Sequence, residues 1–126
     1  MQSSIFRVSL AIALIASATI VYAEQATEIF IPIGQSPGLS HKYTIIGEVE
    51  AIDADGQTMK VSAPSGSHNV TLTERTQIWL DRSSLKLTNL DGTLADIQIG
   101  RTVEVNYEED APNGDAKWVK VQITEP

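Results

Sequence analysis

From Tyr43 to the C-terminus the chain alternates apolar and polar residues with a period of two, and glycine, proline, asparagine or aspartate interrupts the alternation repeatedly. A period of two sends successive side chains to opposite faces of an extended strand. This part of the chain must therefore bury one face of a set of short strands, a pattern that no helix satisfies.

In the first segment Ile45, Gly47, Val49 and Ala51 fall on one face, and Glu48 and Glu50 on the other. Asp53-Ala54-Asp55-Gly56 supplies turn residues, after which Met59, Val61 and Ala63 alternate with Lys60 and Ser62, so the spacing predicts a hairpin. Pro64-Ser65-Gly66-Ser67 reads as the next turn. A third strand then covers residues 68–72 with Val70 and Leu72 inward, and residues 77–80 continue or follow it through Ile78 and Leu80. Residues 82–92 form a polar connection with one short strand at 85–88. Residues 93–98 lack β-branched alternation and close on Gly100, which suits a single helical turn. Val103, Val105 and Tyr107 share a face, Pro112-Asn113-Gly114-Asp115 reverses the chain, and Val119, Val121 and Ile123 alternate with Lys120 and Gln122, a second hairpin.

Short strands with one brief helical turn are best arranged as a closed sheet, because closure removes unpaired edges. The expectation is an all-β fold: a small five- or six-stranded OB-like barrel over residues 43–126, with an open sandwich of the same strands as the alternative. No cysteine is present, so packing alone holds the fold, and disulfides, thiolate metal sites and a cysteine nucleophile are excluded.

Residues 1–23 read as a signal peptide: Arg7 precedes an apolar run over 8–21, and Val21-Tyr22-Ala23 offers small residues for cleavage after Ala23. A retained anchor is the alternative. Cleavage would leave 103 residues carrying 8 basic and 16 acidic side chains, a net charge of −8. Such a surface repels polyanions, so nucleic acid is not an expected partner, and neither is stable membrane insertion after cleavage. The expected location is periplasmic or secreted. Residues 24–42 read as an extended arm, because Ile29-Phe30-Ile31-Pro32-Ile33-Gly34 and Ser36-Pro37-Gly38 mix apolar side chains with chain breakers. Pro32 excludes a central strand, and the apolar side chains argue for docking, on the chain's own barrel or on a partner.

Gly47-Glu48-Val49-Glu50-Ala51-Ile52-Asp53 and the later unit Leu94-Ala95-Asp96-Ile97-Gln98-Ile99-Gly100-Arg101-Thr102-Val103-Glu104-Val105 resemble a pattern of small exported bacterial barrels. One family with this pattern comprises domains of unknown function. The other is the OB-like periplasmic copper- and silver-carrying protein of metal efflux systems, whose site uses a histidine, a tryptophan and paired methionines. The present chain departs from that motif: Trp79 is followed by Leu80 and Asp81, and Met59 is the one methionine after residue 23. The resemblance thus implies the barrel and not the metal site.

Three sets of residues are candidates for chemistry. Trp79 and Trp118 lie out of phase with Ile78, Leu80, Val119 and Val121, so both belong outside the main core. With Phe30 of the arm they form a candidate binding surface, either as stacking platforms for a neutral ligand or as a satellite cluster covered by the arm. His41, His68 and Met59 are the soft or borderline donors from which a copper site would be drawn. Asp53 with Asp55, and Glu108-Glu109-Asp110 with Asp115, offer oxygen ligands for calcium but lack the spacing of a calcium loop. No nucleophile elbow, zincin motif or phosphate loop occurs, so no enzymatic activity and no cofactor are expected. The resulting expectation is a non-catalytic exported module that binds or scaffolds an envelope protein or neutral ligand, with periplasmic metal binding as the alternative.

Overall fold

The computed structural model describes residues 27–38 and 42–126; the expected signal peptide and His41 lie outside the described residues. Within these, seven strands occur in order: β1 (Thr44–Asp53), β2 (Thr58–Ala63), β3 (Gly66–Thr71), β4 (Gln77–Asp81), β5 (Leu90–Asp91), β6 (Thr102–Tyr107) and β7 (Gly114–Gln122). Strands β1, β2 and β3 form an antiparallel meander, β6 pairs with the other edge of β1, and β7 pairs with β6. Residues Gly114 and Asp115 of β7 then run parallel to Val70 and Thr71 of β3. This last pairing closes a ring of five strands in the order β1-β2-β3-β7-β6, the OB-like arrangement expected, and excludes the open sandwich. Beyond Asp115, β7 exchanges β3 for β4, so β4 and the two-residue β5 extend the sheet as a ribbon.

Closure requires β1 to serve two partners. Residues 44–48 pair with β6 and residues 48–53 with β2, and the strand bends where they overlap. Gly47 sits at that bend: a Cβ there would run into the Ser62 carbonyl, a clash no side chain tolerates. Just beyond it, the register with β2 slips by one residue between Val49 and Ala51. Such a bulge inverts the facing of the residues after it. Ile52 consequently packs against the core while Ala51 is exposed, opposite to the facing that strict alternation predicts.

The barrel interior is built from β-branched side chains, which suit a pleated and tightly packed wall. Val61, Val70, Val103, Val105, Val119 and Val121 are fully enclosed, with Ile45, Val49, Met59 and Tyr107 among them. The Tyr107 hydroxyl donates to the Asn69 carbonyl at 3.3 Å, satisfying the one polar atom this ring carries inward.

Other local features differ from the sequence expectation in instructive ways. The strand expected at 85–88 is absent; a 3-10 turn, Ser83–Leu85, stands there and β5 comes after it. The helical turn expected over 93–98 is a 3-10 turn, Leu94–Asp96, closed by a capping box in which the Asp96 side chain accepts from Thr93 N–H at 2.7 Å. Residues Gly66 and Ser67 belong to β3 and not to the preceding turn. The described part of the arm is not extended: residues 27–30 are helical, and the chain then turns at Ile33 and Gly34.

Candidate functional site

The outward face of β6, β7 and β4 carries an unusual set of side chains. Strand register places Ile46, Glu104, Lys120, Trp79 and Asp91 as successive partners across five strands, with Asn106, Trp118 and Gln77 in the adjoining row. Trp79 and Trp118 are therefore diagonal neighbours, and their rings stack with centroids 5.5 Å apart and planes inclined by 29°. The Lys120 ammonium lies over the Trp118 ring, 4.6 Å from its centroid, a cation–π contact. Asp81 lies two residues after Trp79 on the same face of β4.

On an open sheet this face would be wet. Instead Trp79 and Trp118 are 6% and 5% exposed, and Lys120, Glu104 and Asp81 are 0%, 2% and 3% exposed. The arm lies across it. Glu28 accepts from Lys120 Nζ at 3.0 Å, and both side chains are buried. Pro32 and Gln35 close a tight turn through a hydrogen bond from Gln35 N–H to the Pro32 carbonyl at 3.1 Å, with Ile33 and Gly34 in its centre. Gly34 has φ +85°, the left-handed conformation that such a turn reserves for glycine at its second central residue. The central N–H groups of this turn point away from it, and carboxylates collect both: Ile33 N–H donates to Asp81 Oδ2 and Gly34 N–H to Glu104 Oε1, each at 2.9 Å. Asn89 completes the fastening by donating from Nδ2 to the Ile29 carbonyl at 3.1 Å, while its Oδ1 accepts from Arg82 N–H at 2.8 Å.

Three carboxylates and one ammonium thus share one enclosed face, leaving an excess of negative charge. Burial pushes the Glu104 carboxyl above the usual carboxylate range; the Gly34 N–H and Lys120 offset part of this, and Glu28 and Asp81 add to it. Asp81 moves the other way. Burial alone would raise it, but the Ile33 N–H, the Ser83 hydroxyl and N–H, and Lys120 together hold it below its ordinary value. Ser83 supplies two of these bonds to Oδ1, at 2.6 and 2.9 Å.

Trp79 and Trp118 come together outside the main core, as their phase predicts, but as a covered stack and not as a solvent-facing platform. Phe30 stands on the arm with 57% of its surface exposed. Met59 and His68 share the inward face of the β2–β3 pair, where Met59 opposes Val70 and His68 opposes Val61, so the two are diagonal neighbours. His68 Nε2 lies 2.7 Å from Ser65 Oγ, and its buried Nδ1 has no hydrogen-bond partner among the described residues. No group of three or more His, Cys, Asp or Glu suited to a metal ion occurs among the described residues. Asp53 accepts from Gly56 N–H at 3.0 Å, ordinary turn chemistry, and Glu108 and Asp115 are both paired with Arg75. An open depression of about 360 Å³ at one end of the barrel is lined by Gln57, Thr71, Leu72, Thr73, Glu74 and Arg75.

Glu28, Asp81, Glu104 and Asn89 were not legible as site residues in the sequence. Lys120 had a signal, since it shares the phase of Trp118 on an otherwise valine-lined strand.

No protein-family model and no curated protein matches the chain. Among solved structures it is similar to the crystal structure of silver(I)-bound CusF, at 15% identity and a TM-score of 0.43, over 63% of this chain and 95% of that one. No helix among the described residues is long and apolar enough to cross a membrane.

Proposed function

We propose that this chain is a non-catalytic exported binding module whose recognition surface is the outward face of β4, β6 and β7. One observation carries the reading: an aromatic stack and four ionisable groups are gathered on the outside of a barrel whose interior is already complete without them. Burying a charged group is costly, and apolar residues of similar size would hold an arm at least as well. Side chains of this kind serve selective recognition better than they serve stability. The depression lined by Glu74 and Arg75 holds no nucleophile paired with a base, and its Arg75 is engaged by Glu108. The test monitors tryptophan emission while a panel of neutral oligosaccharides and synthetic peptides is titrated into the chain and into Lys120→Met. A saturable shift that depends on Lys120 supports the reading; no such shift from any member sinks it, and turnover of a bound member shows an enzyme instead.

A second reading, binding of a soft metal ion, is favoured by the inward placement of Met59 beside His68 and by the unpartnered Nδ1 of His68. Native mass spectrometry with Cu(I), Zn²⁺ and Ca²⁺ separates the two. Stoichiometric Cu(I) uptake lost in His68→Ala would replace the first reading with this one.

A further inference from the structure

The arm is held in a manner that says what the face beneath it accepts. Several polar ties join the described arm residues to the barrel, and three of them engage arm backbone: the Ile29 carbonyl with Asn89, the Ile33 N–H with Asp81 and the Gly34 N–H with Glu104. Any chain of the same shape could make these three. A further tie, Glu28 with Lys120, reads a side chain. The two N–H donors of the turn, Ile33 and Gly34, lie five and six positions after that carboxylate, a spacing written in the sequence as Glu28, Pro32 and Gly34. The face is thus equipped to read a carboxylate, a short apolar stretch and a tight turn.

We infer that this face is a peptide-binding groove occupied in cis by the chain's own arm, and that its intermolecular ligand is a partner-protein segment of the pattern E-x-x-x-P-x-G. The inference rests on the reading of this face as the recognition surface and names the class of ligand. A single acidic residue is required, not an acidic run, because Lys120 is the one cation among Glu28, Asp81 and Glu104. A second copy's arm is a poorer occupant than a foreign segment. It would repeat the cis contacts while adding the loss of translational and rotational freedom, so it gains nothing over the arm already joined to β1 through a few residues. A foreign segment displaces the arm by adding contacts, and the exposed Ile46, next to Glu104 in the row, offers apolar surface for them.

The test uses the full chain and a fluorescein-labelled peptide of residues 27–38, which carries the arm's own contacts. In Glu28→Ala the cis arm lacks its carboxylate, so the peptide binds saturably there and at least tenfold more weakly to the unsubstituted chain. A peptide with alanine for its glutamate fails to bind, and the unaltered peptide fails on a Glu28→Ala/Lys120→Met chain. Gly34→Ala, which loosens the turn and leaves the charges intact, serves as a second host should Glu28→Ala not fold, and gives the same ranking. Equal binding to the unsubstituted and loosened chains, or none to either loosened chain up to about 1 mM, the range of a short tether's effective concentration, overturns the inference. A concentration-dependent dimer of the unsubstituted chain, abolished by Glu28→Ala, also overturns it by showing arm exchange between copies. Lys120-dependent binding of an oligosaccharide without peptide binding removes the peptide and leaves the recognition surface standing; loss of both removes both.

Discussion

Lys120 on the last strand and Glu28 in the arm meet at 3.0 Å across 92 residues of sequence, each almost wholly removed from solvent. The pair fastens the N-terminal segment to the strand that closes the barrel. The ammonium of the pair also lies over the Trp118 ring.

Breaking this pair from one side leaves an uncompensated charge in an enclosed site. Lys120→Met is expected to cost about 3–5 kcal/mol, since Glu28, Asp81 and Glu104 then face one another without a cation. The double variant Glu28→Leu/Lys120→Met should recover most of that loss, because matched apolar groups remove the desolvation cost at both ends. Urea unfolding of the three proteins measures both effects; equal losses in the single and double variants would show that the ion pair is not what the arm depends on.

Acidity acts on two carboxylates with opposite signs. The folded-state pKa of Asp81 is depressed, so its contribution is present above the unfolded value and is lost as pH falls through the folded one. Glu104 has a raised folded-state pKa, so the fold favours its protonated form and loses stability as pH rises from the unfolded value through the folded one. Glu104→Gln keeps an acceptor for the Gly34 N–H and removes the charge. Its stability relative to the parent chain should therefore increase with pH across the upper carboxylate range, read as the difference in urea midpoints. A difference that does not vary with pH would mean that the groove does not disfavour this charge.

Two glycines make separable predictions. Gly47→Ala drives a methyl group into the Ser62 carbonyl at the bend of β1, so the β1–β2 pairing must open, with an expected loss of at least ~3 kcal/mol or failure to fold. Gly34→Ala meets only the Ile46 side chain, at an ordinary contact distance of 3.8 Å, but must hold φ near +85°, a cost of about 1–2 kcal/mol confined to the arm. Amide hydrogen exchange tells them apart: Gly34→Ala should raise exchange at Ile33 and residue 34 while the β-strand amides stay protected.

The tryptophan pair supplies a spectroscopic mark. Rings stacked at 5.5 Å couple their transitions, so the far-ultraviolet circular dichroism should contain an exciton couplet that Trp79→Phe abolishes without loss of the β-sheet signal. Lys120→Met should also shift the emission to the red as the arm lifts. A couplet unchanged in Trp79→Phe would mean that the signal does not arise from the pair.

Periodicity alone carried much of the architecture. The hairpin of Met59 and Val61, the inward faces of Val103, Val105, Val119 and Val121, and the out-of-phase placement of both tryptophans all derive from a side-chain period of two, a property of each strand by itself. Turn residues marked the reversals for the same local reason. The absence of cysteine likewise settled that packing holds the fold.

Only the tertiary structure decided which strands become neighbours and everything that depends on it. The slip after Val49, the change of partner by β7 and the closure through Val70 and Gly114 arise from fitting five strands into one ring, and no single segment records them. The meeting of Glu28, Asp81, Glu104 and Lys120 is of the same kind. Glu28, Asp81 and Glu104 each read in their own segments as ordinary solvent-facing charges, Lys120 shows no more than the phase it shares with Trp118, and only the arm laid across three strands turns them into one enclosed site, because burial is a property of the assembled surface and not of the residue.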